Sequence, residues 1–296
     1  MAGLKLRLTR PEGREYELTL RDIEILLAIG RMGRATSRQL LRLFFRDPST
    51  GYRRLRVLFG AGLTNVTASH SDEQNTYTLT GKGVSVLVKR GFDRNQLHQS
   101  RAVGCGVDLH LQYLNDVRVE LILATRERPD VTLDRFYADL DLRRAAGERP
   151  PAYIPDSIAE LAISPVKPTD PPRPLVLILE IDLGSEGGSV FASKVDTTVE
   201  LWRTRRKCWG AEPGTWRPVV FVNSSTRART LARLITNHDG GELWFIGALD
   251  RLADVGALGP IFALAQDVAA ADRRQPIDYR TAIAPPTATV HEGVRS

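Results

Sequence analysis

Apolar positions three and four residues apart, framed by capping side chains, recur three times in the first sixty residues. Thr19 precedes Ile23, Leu26, Leu27 and Ile29, so the spacing predicts a helix capped by Thr19 and ended around Gly30 and Gly33. Thr36-Ser37-Arg38-Gln39 is a capping box in which the Gln39 side chain returns to the Thr36 amide. It opens a second helix with Leu40, Leu41, Phe44 and Phe45 inward and Arg38, Arg42 and Arg46 outward. After the turn Asp47-Pro48-Ser49, Tyr52, Leu55, Leu58 and Phe59 support a third helix, with Arg53, Arg54 and Arg56 at its other positions. A β-type segment at 63–67, a polar loop at 69–75 and a return strand at 76–80 follow.

Further along, the period changes. From Val107 a helix is expected, with Leu109, Leu111, Leu114, Val117, Leu121 and Ile122 on its apolar face. On it, His110 reads as a capping or core residue and Glu120 as no more than a surface residue. Residues 136–142 alternate as a strand does, and a second strand is expected over 153–163 after the breaker Pro150-Pro151. Beyond a proline-rich loop at 164–174, residues 175–182 form a continuous apolar strand of the kind buried on both faces, ending Glu180-Ile181-Asp182. A Gly-Ser loop (184–189), a helix (190–208), a buried strand (219–222), a helix (226–236) and a last strand (243–246) complete the order, which implies an α/β sheet with mixed pairing. The Pro-, Ala- and Thr-rich stretch 273–296 reads as a flexible tail.

A length of 296 residues with 42% apolar residues suits two domains with real cores. Apolar runs such as 175–179 are too short to cross a bilayer, and charges stand where a secretory signal would need an apolar run, so a cytosolic protein without membrane contact is expected. Cys105 and Cys208 are far apart with no CxxC, and the five histidines are scattered, which argues against a disulfide framework and a structural zinc site. The charge is uneven. Residues 31–60 carry eight arginines against the single acid Asp47, a charge of +7, where the whole chain holds +6. A solvated face is the ordinary reading of such a run, but the acids that would balance it are absent. A polyanion, most economically a nucleic-acid backbone, is the expected partner.

The acids make a second pattern. Glu180 and Asp182 share one face of their strand because side chains alternate, and Asp156 follows Pro155 in the strand before. Two carboxylates on a strand that otherwise buries aliphatics meet a desolvation and repulsion cost that a divalent cation relieves. Asp156, Glu180 and Asp182 are therefore expected to converge on a Mg²⁺ or Mn²⁺ site.

Over residues 15–92 the three helices, the strand pair and Tyr77-Thr78-Leu79-Thr80-Gly81-Lys82-Gly83 resemble a winged helix-turn-helix. That resemblance implies a third helix in the major groove of duplex DNA, Arg53, Arg54 and Arg56 reaching phosphates or guanine edges, and a wing at 70–74 beside the backbone. Arg38 and Arg42 extend the same basic surface. Winged helices also serve as protein-interaction modules. Pro155-Asp156 followed by Glu180-x-Asp182, on the second and third strands of an αβββαβ core, resembles the PD-(D/E)XK nuclease superfamily. The resemblance implies Asp156 and Glu180 as metal ligands, Asp182 as a third ligand or water-orienting base, and a lysine that stabilises transition-state charge. Asp182 stands where that lysine usually lies. Lys194, early in the next helix, is the replacement, with an ion pair to Asp196 or Glu186 as its ordinary alternative.

Together with Asp108-Leu109-His110-Leu111-Gln112 in the connecting helix, these features resemble the replication-relaxation family of plasmids and other mobile elements, over about residues 15–250. The resemblance implies DNA binding linked to plasmid replication or transfer, with relaxation or replication proteins and a second copy of the chain as further partners. The expected organisation is a winged helix-turn-helix at 1–92, a linker at 93–107, a nuclease-like domain at 108–270 and a tail at 271–296. Two readings of its action stand side by side: a Mg²⁺-dependent DNA phosphodiesterase, or a non-catalytic DNA-binding adaptor or regulator on a degenerate nuclease-like scaffold. An effector-binding transcription factor is disfavoured, because the acids suit a cation better than an organic anion.

Overall fold

Two units, Met1–Val119 and Glu120–Ser296, make up the computed structural model, which describes residues 7–9, 15–68, 74–98, 108–147, 153–165, 169–184, 186–271 and 277. Among the described residues it is a mixed α+β protein with ten α-helices and a six-stranded mixed sheet. The expected wing tip, most of the expected linker, Pro150-Pro151 and nearly all of the expected tail lie outside the described residues.

In the first unit, β1 (Arg7–Thr9) pairs antiparallel with β2 (Glu15–Glu17), a hairpin the apolar pattern did not announce. α1 (Leu20–Met32) is capped by Thr19, whose hydroxyl accepts from the Asp22 amide while Asp22 returns to the Thr19 amide. It passes straight through Gly30 and ends at Gly33, which adopts a positive φ of 72°. Gly30 is needed for packing instead, since a Cβ there would press on Leu79 and Leu97. β3 (Ala35–Thr36) leads into α2 (Ser37–Phe44), and the Thr36–Gln39 capping box forms in both directions. α3 (Pro48–Gly60) starts at the Asp47 cap and buries Gly51, Leu55 and Leu58. β4 (Thr64–Ala68) and β5 (Asn75–Leu79) then pair antiparallel, and β5 also pairs with β3, in the order β3-β5-β4. α4 (Gly81–Lys89), capped by Thr80, packs beside them.

α5 (Leu109–Glu127) contains the division between these two compact units. Glu120, expected at the surface, is buried.

The second unit is built on its sheet, in the order β11-β10-β9-β8-β7-β6. β6 (Val131–Ala138), β7 (Ser157–Ile163) and β8 (Arg173–Asp182) are antiparallel neighbours. Between β6 and β7 lies α6 (Asp139–Ala146), where alternation over 136–142 had predicted strand. The two acids of its first turn explain the switch: Asp141 accepts from the Ala138 amide and Asp139 pairs with Arg143 one turn on. α7 (Gly188–Arg203) carries the chain from β8 to the parallel strand β9 (Trp216–Val222), stopping five residues short of the expected end as Arg205 takes a positive φ of 50°. α8 (Ser225–Asn237) leads to β10 (Phe245–Ala248), also parallel; α9 (Leu252–Val255), β11 (Phe262–Leu264) and α10 (Ala265–Ala270) follow, so β10 is not the last strand. One face of the sheet, through Ile158, Val176, Ile178, Val220 and Ile246, packs on Phe191 and Val195 of α7 and Leu231 and Ile235 of α8. No helix among the described residues is long and apolar enough to cross a membrane.

Candidate functional site

Two places carry the charged residues that the sequence singled out. The first is the surface of α2 and α3. Arg38, Arg53 and Arg56 are exposed, and no ion pair or side-chain hydrogen bond engages them among the described residues. Arg42 is half-buried, and burial followed by repulsion from Arg38 lowers its pKa below the usual arginine range. Asp116 of α5 lies beside this pair. Burial raises its pKa, while the Gln39 amide, donating to its Oδ1 at 2.8 Å, and the two arginines pull the other way. Gln39 also donates to the Gln112 carbonyl, and Asn115 to the carbonyls of Met32 and Arg34, so amide side chains tie α5 to α2 and to the end of α1.

Arg54 behaves differently from its neighbours. Its guanidinium forks onto both oxygens of the fully buried Asp22 and donates to the Glu17 carbonyl at 3.3 Å. A carboxylate with no solvent contact needs such a bidentate partner. Arg54 therefore pins α3 to the start of α1 and is not part of the open cationic face.

The second place is the carboxyl end of β8, the edge at which open α/β sheets present their sites. The antiparallel register pairs Ser157 with Leu179, which brings the preceding residue, Asp156, alongside Glu180. Asp156 stands one position before β7 and not within it, and its Oδ2 accepts from the Ile181 amide at 2.8 Å. Glu180 is 2% exposed. Its Oε2 accepts from Lys194 Nζ at 2.8 Å, and its Oε1 is buried with no hydrogen-bond partner. Burial, then the neighbouring Asp156, pushes the Glu180 carboxyl well above the ordinary range, against the pull of Lys194. Burial acts on Lys194 in the opposite sense, lowering its pKa, but Glu180 and Glu186, each 2.8 Å from Nζ, outweigh it and keep the ammonium charged. The Tyr153 hydroxyl is also buried without a partner, its pKa raised first by burial and then by Glu180.

Asp182 does not join this group. Both its oxygens are taken by Arg227 of α8, Nε to Oδ1 and Nη2 to Oδ2 at 2.7 Å each, and the Gly184 amide donates to Oδ1 at 2.7 Å. Arg227 also donates to the Glu186 carbonyl at 3.2 Å, tying down the turn between β8 and α7. Among the described residues no three His, Cys, Asp or Glu side chains gather into a group that could hold a metal ion. The structure thus brings together Asp156, Glu180 and Lys194, adds Glu186, and turns Asp182 to a cation of the chain itself.

The sequence matches the replication-relaxation family model over residues 26–215, more than half of the chain. The chain belongs to the replication-relaxation family. The matched region of this replication-relaxation protein contains α2, α3, Asp156, Glu180, Asp182 and Lys194, and stops before Arg227. No curated protein and no solved structure matches the chain. Sequence reasoning missed Arg227 because nothing local to Asp182 announces a partner 45 positions away. The Asp22–Arg54 pair, 32 positions apart, was hidden for the same reason.

Proposed function

We propose that this protein binds double-stranded DNA through its first unit and acts in the replication, relaxation or transfer of a plasmid or other mobile element. The observation that carries this reading is the exposed set Arg38, Arg53 and Arg56, which makes no ion pair among the described residues and lies on a segment of charge +7. Family membership supports the biological setting. The order α1-β3-α2-α3-β4-β5 with a β3-β5-β4 sheet supports a winged helix-turn-helix over 1–92, with α3 as the groove helix. A homodimer on paired half-sites, and relaxation or replication proteins, are the further partners of this reading. Arg38→Ala with Arg53→Ala is expected to weaken duplex binding and reduce the slope of log K against log salt by about 0.9 for each phosphate that is no longer neutralised. An unchanged slope, measured by fluorescence anisotropy over a salt series, would show that the basic face points away from the DNA.

One observation favours a second activity for the sheet unit over a purely structural role: the orphaned, buried Oε1 of Glu180 alongside Asp156. A three-carboxylate centre does not fit these residues, since Asp182 is held by Arg227. A two-carboxylate one fits, because Mg²⁺ is commonly held by one or two carboxylates, with water and substrate phosphate completing its shell. Asp156 and Glu180 would hold Mg²⁺ or Mn²⁺, and a bound ion supplies Lewis acidity toward a scissile phosphate. Lys194 holds a positive charge at the same strand end, and the order β6-α6-β7-β8-α7-β9 is compatible with a PD-(D/E)XK-like core over 108–270 that carries α6 as an insertion. Supercoiled plasmid incubated with Mg²⁺, Mn²⁺ or EDTA tests this: nicking that needs the ion and is abolished by Asp156→Asn or Glu180→Gln, with duplex binding retained, is expected. Plasmid left intact under every condition would assign the sheet unit to a non-catalytic scaffold.

A further inference from the structure

α3 presents to solvent a stripe that a purely phosphate-binding surface does not need. Tyr52, Arg56 and Phe59 stand at helical positions i, i+4 and i+7, on one face. The two aromatic rings are 41% and 51% exposed, among the largest apolar side chains left open in the described residues. Leaving that much aromatic surface in water forgoes the hydrophobic stabilisation that full burial would give. Phosphate contact would not recover that. Arg53 flanks the stripe, α3 itself contains no acid, and the Arg54–Asp22 fork on the opposite side fixes the helix so that the stripe is held outward. A rigid helix carrying a guanidinium between two apolar rings matches the major-groove edge of a guanine set among thymines. Guanine offers O6 and N7 to the guanidinium, and thymine offers its C5 methyl to an apolar surface.

We infer that the Tyr52–Arg56–Phe59 stripe reads sequence in duplex DNA, Arg56 by the guanine edge and the two rings by thymine methyl groups. The inference rests on the DNA-binding reading above and deepens it from charge attraction to base discrimination. The partner is duplex and not single-stranded DNA, because the stripe lies along a convex helix of groove-filling width with cations beside it, not in a cleft where unpaired bases would be enclosed.

The test begins by selecting preferred duplexes from a randomised pool with the full-length protein. Each enriched thymine is then replaced by deoxyuridine, which removes only the methyl group. Each enriched guanine is replaced by 7-deazaguanine, which removes only the N7 acceptor. Affinity is expected to fall roughly fourfold for every recognised methyl group removed, the equivalent of one buried carbon. Phe59→Ala and Tyr52→Ala are each expected to lose the discrimination at the methyl group that the missing ring covers, and the double variant to bind the thymine and deoxyuridine duplexes equally, with the salt slope unchanged. Equal affinity of the parental protein for the two duplexes, or tighter binding to single strands, would overturn base reading while leaving DNA binding in place. Failure to bind any DNA would instead remove the functional reading on which the inference stands.

Discussion

Arg227→Met is expected to destabilise the second unit by about 3–5 kcal/mol at neutral pH, the usual cost of removing one partner from a buried ion pair. The Asp182 side chain is 1% exposed, and Arg227 occupies both of its oxygens. The Gly184 amide alone would remain to serve a charged carboxylate packed against a hydrophobic layer. The hydrogen bonds to Asp182 raise the pKa of Arg227 above the ordinary arginine value, so the guanidinium keeps its charge beside the carboxylate. Urea denaturation of the parent and the variant at pH 7 measures this. A variant as stable as the parent would show that Asp182 does not depend on Arg227.

That pair also marks where sequence reading reaches its limit. Local chemistry was legible: Thr19 and Thr36 cap the helices they precede, and the run ending in Glu180 and Asp182 is a strand buried on both faces. The reach of Lys194 back to Glu180 was legible as well, because the helix after β8 begins next to the strand end it leaves. The choice between a metal-facing and an ion-paired Lys194 was not, and Glu180 and Glu186 share it. What pattern could not supply was the tertiary partner. Alternation marks Asp182 and Glu180 as sharing a face but is silent on Arg227, which arrives only when α8 packs on the sheet. Arginine spacing on α3 likewise treats Arg53, Arg54 and Arg56 alike, although Asp22 on α1 claims the middle one. Acids in a first helical turn can disguise a helix as an alternating strand, as Asp139 and Asp141 do in α6.

Gly83→Ala is expected to destabilise the first unit by about 1–3 kcal/mol, although alanine is the better helix former by about 1 kcal/mol. Gly83 is the last residue of the Tyr77–Gly83 motif and lies inside α4, where a Cβ would collide with the backbone carbonyl of Leu63 and crowd a Leu79 methyl at 3.3 Å. That carbonyl cannot withdraw, because the segment before β4 is bound to the start of α4 on all sides. The Thr80 amide donates to the Leu63 carbonyl at 3.1 Å, the Thr80 hydroxyl to the Gly62 carbonyl at 2.7 Å, and Lys82 Nζ to the Ala61 carbonyl at 2.9 Å. The motif is thus a clasp: threonine caps the helix and grips the strand, and glycine lets the two backbones meet. Gly60, at the end of α3, is the internal control, since nothing lies within 4 Å of a Cβ there. Gly60→Ala is expected to leave stability unchanged or raise it by up to about 1 kcal/mol. Denaturant melts of both variants of the full chain distinguish the effects. A Gly83 variant that gains stability as Gly60→Ala does would show that the helix and strand can move apart.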